Sequence, residues 1–370
     1  MKDTHRRILR DVLSAPTAPF AEGCVQRVIR DWADRRDLAI TSDAAGNLHV
    51  RYRRGRPGKG HRWAFLAHMD HPGFIAGRQK GRRLKAEFRG GVRPELFKDE
   101  CVRFFTPEED VLAKVTSARR NKDSGFIDAS LYLPAGAAVA EGSVGMWNLP
   151  VMRVHRTRLT SRALDDLAGV AAVMCAMDEL VRRQDDADVI GIFTRGEEAG
   201  FAGTLAGCED GLFPAERCII GLETSKAQPG AKLGDGVVIR VGDRTWTFDP
   251  EATGYISRLA DKLARKRRDF RFVRMLMPGG TCETTPLCVW GLRAAALCLP
   301  LGNYHNMSDR QEKIAPERID LHDFDCMVTL LGEIAVGEGS MQDTHKQLLD
   351  RLSELLAKRR PLLDGYPGEE

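Results

Sequence analysis

Residues 189–203 read VIGIFTRGEEAGFAG. The run VIGIF has no polar residue to alternate with, which is the pattern of a strand buried on both faces. Thr194, Arg195 and Gly196 then punctuate the chain, and a helical stretch begins near Gly203. Between strand and helix stand two acids, Glu197 and Glu198. In an open α/β sheet ligands bind outside the carboxyl ends of the strands, and this pair falls there.

The same arrangement recurs on both sides. WAFLA (63–67) is a short apolar strand that runs into His68 and Asp70, and CIIGL (218–222) runs into Glu223. AAALCL (294–299) is strand-like and leads to His305. Asp165 and Asp166 open a helix whose apolar residues (Leu167, Val170, Val173, Met174, Met177, Leu180 and Val181) recur at helical spacing. Further helices are expected over 254–265 and 321–336, with an extended segment over 270–277. The N-terminus reads helix, helix, then strands, with Gly46-Asn47 in a turn. Strands alternating with helices predict an α/β fold, a three-layer αβα sandwich around a mostly parallel sheet.

Residues 73–158 break the rhythm with many short extended runs, such as VLAKVTSA (111–118) and SLYLPAG (130–136), and read as an inserted small β-rich domain. The organisation predicted is a discontinuous catalytic domain over 1–72 and 159–340, the insert over 73–158, and a C-terminal helical extension over 341–370.

The composition is that of an ordinary globular chain. There are 370 residues, 43% hydrophobic and 29% charged, with a formal net charge of +4. A charge that small calls for no nucleic-acid partner. The basic runs at 51–62 and 262–271 read as a turn and a helix end with solvated charge. No apolar stretch approaches the roughly 20 residues of a membrane span, and the N-terminus lacks the apolar run of a secretory signal. The nine cysteines include no Cys-x-x-Cys pair and mostly sit in apolar contexts, so a reduced, cytoplasmic protein is expected. Cys282, in a glycine-led loop beside Glu283, is the exception.

Each candidate site residue has an ordinary explanation when taken singly: a hydrogen-bonded structural histidine, an acidic helix cap, a solvent-facing acid. Their convergence on one sheet edge does not. Two histidines with several carboxylates and no cysteine cluster suit a catalytic Zn²⁺ or similar divalent ion, with Co²⁺ and Mn²⁺ accepted by the same donors.

The motifs AHMDHPGF (67–74), ALDDLAGVAA (163–172), FTRGEEAGFAG (193–203), GLET (221–224), LMPGGT (276–281) and NYHNMSD (303–309) resemble metallopeptidase family forty-two, the glutamyl-aminopeptidase and tetrahedral-aminopeptidase group. The resemblance implies two divalent metal ions per subunit. His68 and Glu223 bind one, Glu198 and His305 the other, and Asp165 bridges both. Glu197 is the implied general base, acting on a metal-bridging hydroxide that attacks the scissile carbonyl of a peptide substrate. Asp70 is implied to hydrogen-bond the second nitrogen of His68. A cis peptide is implied between Asp165 and Asp166, and self-assembly into dimers or twelve-subunit shells. The chain departs from the family pattern at Leu167 (usually Arg), at GGTCE (279–283, usually GGTDA), at Glu223 (often Asp) and at His71 (usually acidic). Alternatives are a carboxypeptidase, dipeptidase or deacylase of the same clan, against which the position of the insert argues, and a non-enzymatic metal-binding relative, against which the retained Glu197 argues.

Overall fold

The computed structural model describes residues 1–55, 62–337 and 341–364. Most of the turn expected in the first basic run lies outside the described residues. Two helices open the chain, α1 (Asp3–Ser14) and α2 (Gly23–Asp34). Each buries one face at helical spacing, Ile8, Leu9, Val12 and Leu13 in the first, Val25, Ile29 and Trp32 in the second. Three strands follow, β1 (Ala39–Ser42), β2 (Leu48–Arg54) and β3 (Trp63–His68). Gly46, with φ +81°, supplies the left-handed residue of the turn between the first two.

Six strands then close into a small barrel in the order β4-β5-β8-β7-β6-β9. They are β4 (Gly73–Lys80), β5 (Arg83–Arg89), β6 (Cys101–Phe104), β7 (Val111–Arg120), β8 (Ile127–Tyr132) and β9 (Val144–Trp147). Alternation along β7 and β8 turns every second side chain inward. The barrel has a core of its own, in which Phe74 meets Phe88 and Trp147 edge-on, each at 4.8 Å between ring centroids.

The chain continues through β10 (Arg153–His155), β11 (Arg158–Ser161), α3 (Leu167–Arg183), β12 (Ala187–Thr194), α4 (Ala202–Glu209), β13 (Cys218–Lys226), β14 (Val237–Asp243), α5 (Pro250–Lys266), β15 (Phe272–Met277), α6 (Thr284–Val289), β16 (Ala294–Leu301), β17 (Glu317–Asp320), α7 (Leu321–Val336) and α8 (Met341–Asp364). β10, β11 and β17 form a separate three-stranded sheet.

The main sheet has eight strands in the order β1-β2-β12-β3-β13-β16-β14-β15. Its central four, β12, β3, β13 and β16, are parallel to their neighbours within the group. β14–β15 is also parallel, while the pairs β1–β2, β2–β12 and β14–β16 are antiparallel, so the sheet is mixed, with four of its seven pairings parallel. The short turn from β1 to β2 explains part of this, because a parallel pair needs a long crossover.

Both faces of β3 are covered. Trp63, Phe65 and Ala67 join a core with residues of α1, α3, α5 and α7, while Ala64 and Leu66 join Cys208 of α4, Phe213 and Leu287 of α6. This is why WAFLA carries no alternation. The helix α3 is buried continuously from Leu167 to Leu180, which accounts for its long apolar run.

Candidate active site

Because the four central strands are parallel, their carboxyl ends share one edge. His68 is the last residue of β3, and the register sets it opposite Thr194 at the end of β12. Glu197 and Glu198 occupy the short turn that follows. Glu223 lies within β13, and His305 in the turn after β16. Asp165 immediately precedes α3, and the Asp165–Asp166 peptide is cis. The helix-cap explanation of the acidic pair does not hold, since Asp166 makes no cap hydrogen bond.

These residues meet. His68 Nε2 lies 3.4 Å from Asp165 Oδ1 and 3.6 Å from Glu223 Oε1. His305 Nε2 lies 3.5 Å from Asp165 Oδ2 and 3.0 Å from Glu198 Oε1. Asp165 therefore turns one oxygen to each histidine. Two ligand sets result, His68–Asp165–Glu223 and Asp165–Glu198–His305, each with its donor atoms within 4.8 Å of one another. Glu197 Oε2 stands 3.8 Å from His68 Nε2, and Glu197 also groups with His68 and Glu198.

Backbone carbonyls orient both rings. His68 Nδ1 is 3.1 Å from the carbonyl oxygen of Asp70, and His305 Nδ1 is 3.0 Å from that of Gly91. A carbonyl only accepts, so Nδ1 carries a proton and Nε2 is the nitrogen turned toward the site. The Asp70 carboxylate was expected to bond His68. It lies 3.6 Å from Nδ1 and also accepts the backbone N–H groups of Glu197 and Glu198, each at 3.0 Å. Asp70 thus fixes the glutamate turn, while its carbonyl fixes the histidine.

Among the described residues several buried atoms here have ion-pair neighbours at most and no hydrogen-bond partner: His68 Nε2, Asp165 Oδ1, Glu198 Oε1 and both Asp166 oxygens. Orphaned donors and acceptors are costly unless something satisfies them. Electrostatics point the same way. Burial, then Asp165, pushes the Glu223 carboxyl up to about 8. Burial likewise pushes Glu197 and Asp166 well above the carboxylate range. Burial opposes charge on His68 and His305, yet the surrounding carboxylates raise both well above the ordinary imidazole value. Such a site holds protons in place of a cation, and a metal ion displaces them on binding. The residues fit divalent metal ions.

Beside the ligands opens a cavity of about 280 Å³, lined by Glu197, Glu223, Lys226, Arg240, Gly280 and Tyr304 among others. The Tyr304 ring stacks on His305 with centroids 3.8 Å apart. Arg240 is 2% exposed; its Nη1 reaches Ser225 Oγ at 3.3 Å, and its Nε has no hydrogen-bond partner. Cys282 lies in the cavity wall and is buried, which pushes its thiol up to about 12, away from nucleophile chemistry. Its neighbour Glu283 points elsewhere, to the hydroxyls of Thr194 and Thr204.

Sequence reasoning missed Arg240, Asn306, Glu317 and the Gly91 carbonyl. Asn306 sits inside a quoted motif, but nothing in the chain signals the other three. His71, noted as a departure, lies behind Asp165 with its ring 2.6 Å from that residue's carbonyl oxygen.

A mixed sheet with an inset barrel and this histidine–carboxylate centre on its edge defines a class of metal-dependent hydrolases. Residues 46–317 match the family of M42 glutamyl aminopeptidases, and the chain belongs to that family. It is a metal-dependent aminopeptidase, an enzyme that hydrolyses peptide bonds. No curated protein matches it in sequence. Among solved structures it is similar to the TET1 peptidase of Pyrococcus horikoshii, which assembles into a tetrahedron or a large octahedral shell (20% identity, 90% of this chain and 100% of that one, TM-score 0.71). It is also similar to a TET aminopeptidase from a marine-sediment Thaumarchaeota archaeon (16%, 92% and 99%, TM-score 0.75). An aminopeptidase of Desulfurococcus kamchatkensis is a third such structure (17%, 93% and 97%, TM-score 0.74). Among the described residues no helix is long and apolar enough to cross a membrane.

Proposed function

We propose that the chain is a two-metal aminopeptidase that removes N-terminal residues, acidic ones foremost, from short peptides. The observation that carries this reading is the division of Asp165 between two ligand sets. His68, Glu223 and Asp165 hold one ion; Glu198, His305 and Asp165 hold the other. Nitrogen and carboxylate donors favour Zn²⁺ and also accept Co²⁺ or Mn²⁺. Bound there, the ions supply Lewis acidity to the scissile carbonyl and lower the pKa of water.

The chain's own groups do the rest. Glu197, held at its N–H by Asp70, takes the proton of the attacking water and returns it to the departing amine. Glu198, one residue on, remains with His305. Tyr304 forms part of the cavity wall beside the reacting bond. Arg240 and Lys226 give that wall two cations, which suits a substrate with a carboxylate side chain.

Self-association is part of the proposal. It is supported by the relative whose peptidase assembles into shells, and by the leucines on α8, seven of which (Leu348, Leu349, Leu352, Leu355, Leu356, Leu362 and Leu363) are at least half exposed.

Peptides with free and acetylated N-termini, offered to the metal-loaded enzyme, test the activity. Cleavage of the free series alone is expected. Cleavage of the acetylated series alone points to a deacylase of the same clan and contradicts the proposal.

A further inference from the structure

Behind the ligands lies a buried pair that the two ligand sets leave unexplained. Glu317, the first residue of β17, is fully buried. Its Oε2 accepts the backbone N–H groups of Leu164 at 2.6 Å and Asp165 at 3.1 Å, and its Oε1 accepts that of His305 at 2.9 Å. One carboxylate thus ties the segment bearing the shared ligand to the segment bearing His305.

His71 makes a second tie. Its Nδ1 is 2.6 Å from the Asp165 carbonyl oxygen and its Nε2 is 3.1 Å from Asn306 Oδ1. The Asn306 amide nitrogen is spent on the carbonyls of Arg162 and Ala315, which fixes its oxygen toward the ring. Both ring nitrogens therefore face oxygen atoms. The Glu317 carboxylate lies 4.0 Å from Nδ1.

The two ligand sets do not need these ties equally. His68 is registered against Thr194 of β12 and Glu223 against Cys298 of β16, so strand ladders already hold both. His305 and Asn306 sit in a turn with left-handed backbone, φ +53° and +61°, outside the strand ladders and in a region that residues with side chains enter uncommonly. Glu198 also sits in a turn.

We propose that Glu317 and His71 are positioning residues that hold Asp165 and His305 at the separation at which the second set, Asp165–Glu198–His305, closes on its ion. The inference rests on the two-metal reading given above. Neither side chain reaches the reacting atoms. Both act through the backbone and through Asn306.

The test is Co²⁺ titration of the metal-free full-length protein, read by visible absorption and by competition with a chelator, for wild type, Glu317→Gln and His71→Gln. Glutamine keeps the shape of Glu317 but turns an amide NH₂ toward at least one of three N–H donors. His71→Gln cannot meet both oxygen atoms in the ring's geometry. Wild type is expected to hold two ions. Each variant is expected to keep the first ion within about threefold of wild-type affinity and to weaken the second about 10- to 100-fold. The metal-free melting temperatures are expected to stay near wild type. Should Glu317→Gln fail to fold, His71→Gln carries the same expectation. Wild-type affinity at both sites in His71→Gln overturns the proposal. So does equal weakening of both sites together with a lower metal-free melting temperature, which marks mere support of the fold. Wild type holding fewer than two ions overturns the two-metal reading and this inference with it.

Discussion

Arg240 stands beside the metal ligands at 2% exposure. A charge so placed is costly unless opposite charge meets it; Glu223 and Asp243 act on it from within the chain, and a substrate carboxylate in the cavity would add a further anion. Replacing Arg240 by methionine keeps its apolar stem and removes the guanidinium. With a charge-assisted hydrogen bond worth about 1.5–3 kcal/mol, kcat/KM on glutamyl and aspartyl anilides should fall roughly 10- to 100-fold. The value on a leucyl anilide should change little. Equal losses on both would contradict a specificity role. Residues at this scale were unevenly legible. His68, Asp165, Glu197, Glu198, Glu223 and His305 stand out because chemistry-bearing types follow buried strands. Arg240 does not, because an arginine inside an apolar strand carries no mark of the cavity it faces. Glu317 opens the polar-looking run ERID and reads as a surface acid. Its role exists only where three N–H groups from distant segments converge. Asp70 was assigned to His68, and its carboxylate lies 3.6 Å from Nδ1; its shorter bonds to the Glu197 and Glu198 N–H groups were not legible, since spacing along a chain does not show where a second segment will fold back.

At the scale of elements, Glu179 fastens α1 to α3. Lys2 Nζ lies 2.6 Å and His5 Nε2 3.0 Å from its Oε1, and Arg182 and Arg183 approach the other oxygen. Burial disfavours its charge, but these partners outweigh burial and hold the carboxyl at about 2. A depressed carboxyl pKa stabilises the fold above the unfolded value, near 4.5, and that contribution is lost as pH falls through about 2. Glu179→Gln should therefore destabilise the metal-free protein by about 1 kcal/mol at pH 6, with the difference shrinking toward pH 2. Urea denaturation across that range measures it; a gap independent of pH would contradict the linkage. The central strands and the long helices were legible from apolar runs and helical spacing. The antiparallel flanks were not, because strand direction is a property of connections and not of the strand's own residues. The barrel was legible only as a β-rich stretch, since its closure depends on β4 meeting β9 across the whole segment.

At the scale of the whole molecule, the barrel reaches the catalytic edge through the Gly91 carbonyl, which orients His305. The insert is thus part of the site's architecture, and α8 presents its leucines outward. Light scattering should give a mass several times that of one chain; a monomer at micromolar concentration would contradict self-association. The central claim is that one centre combines two ions on a shared aspartate with a separate glutamate base. Its most direct test counts bound metal and measures peptide hydrolysis on the same preparations of wild type and Glu197→Gln. The account predicts about two ions per chain in both proteins, with hydrolysis of free-amine peptides lost by about 10²-fold or more in the variant. A Glu197→Gln enzyme with two ions and the wild-type rate, or a fully active wild type holding one ion or none, would contradict it.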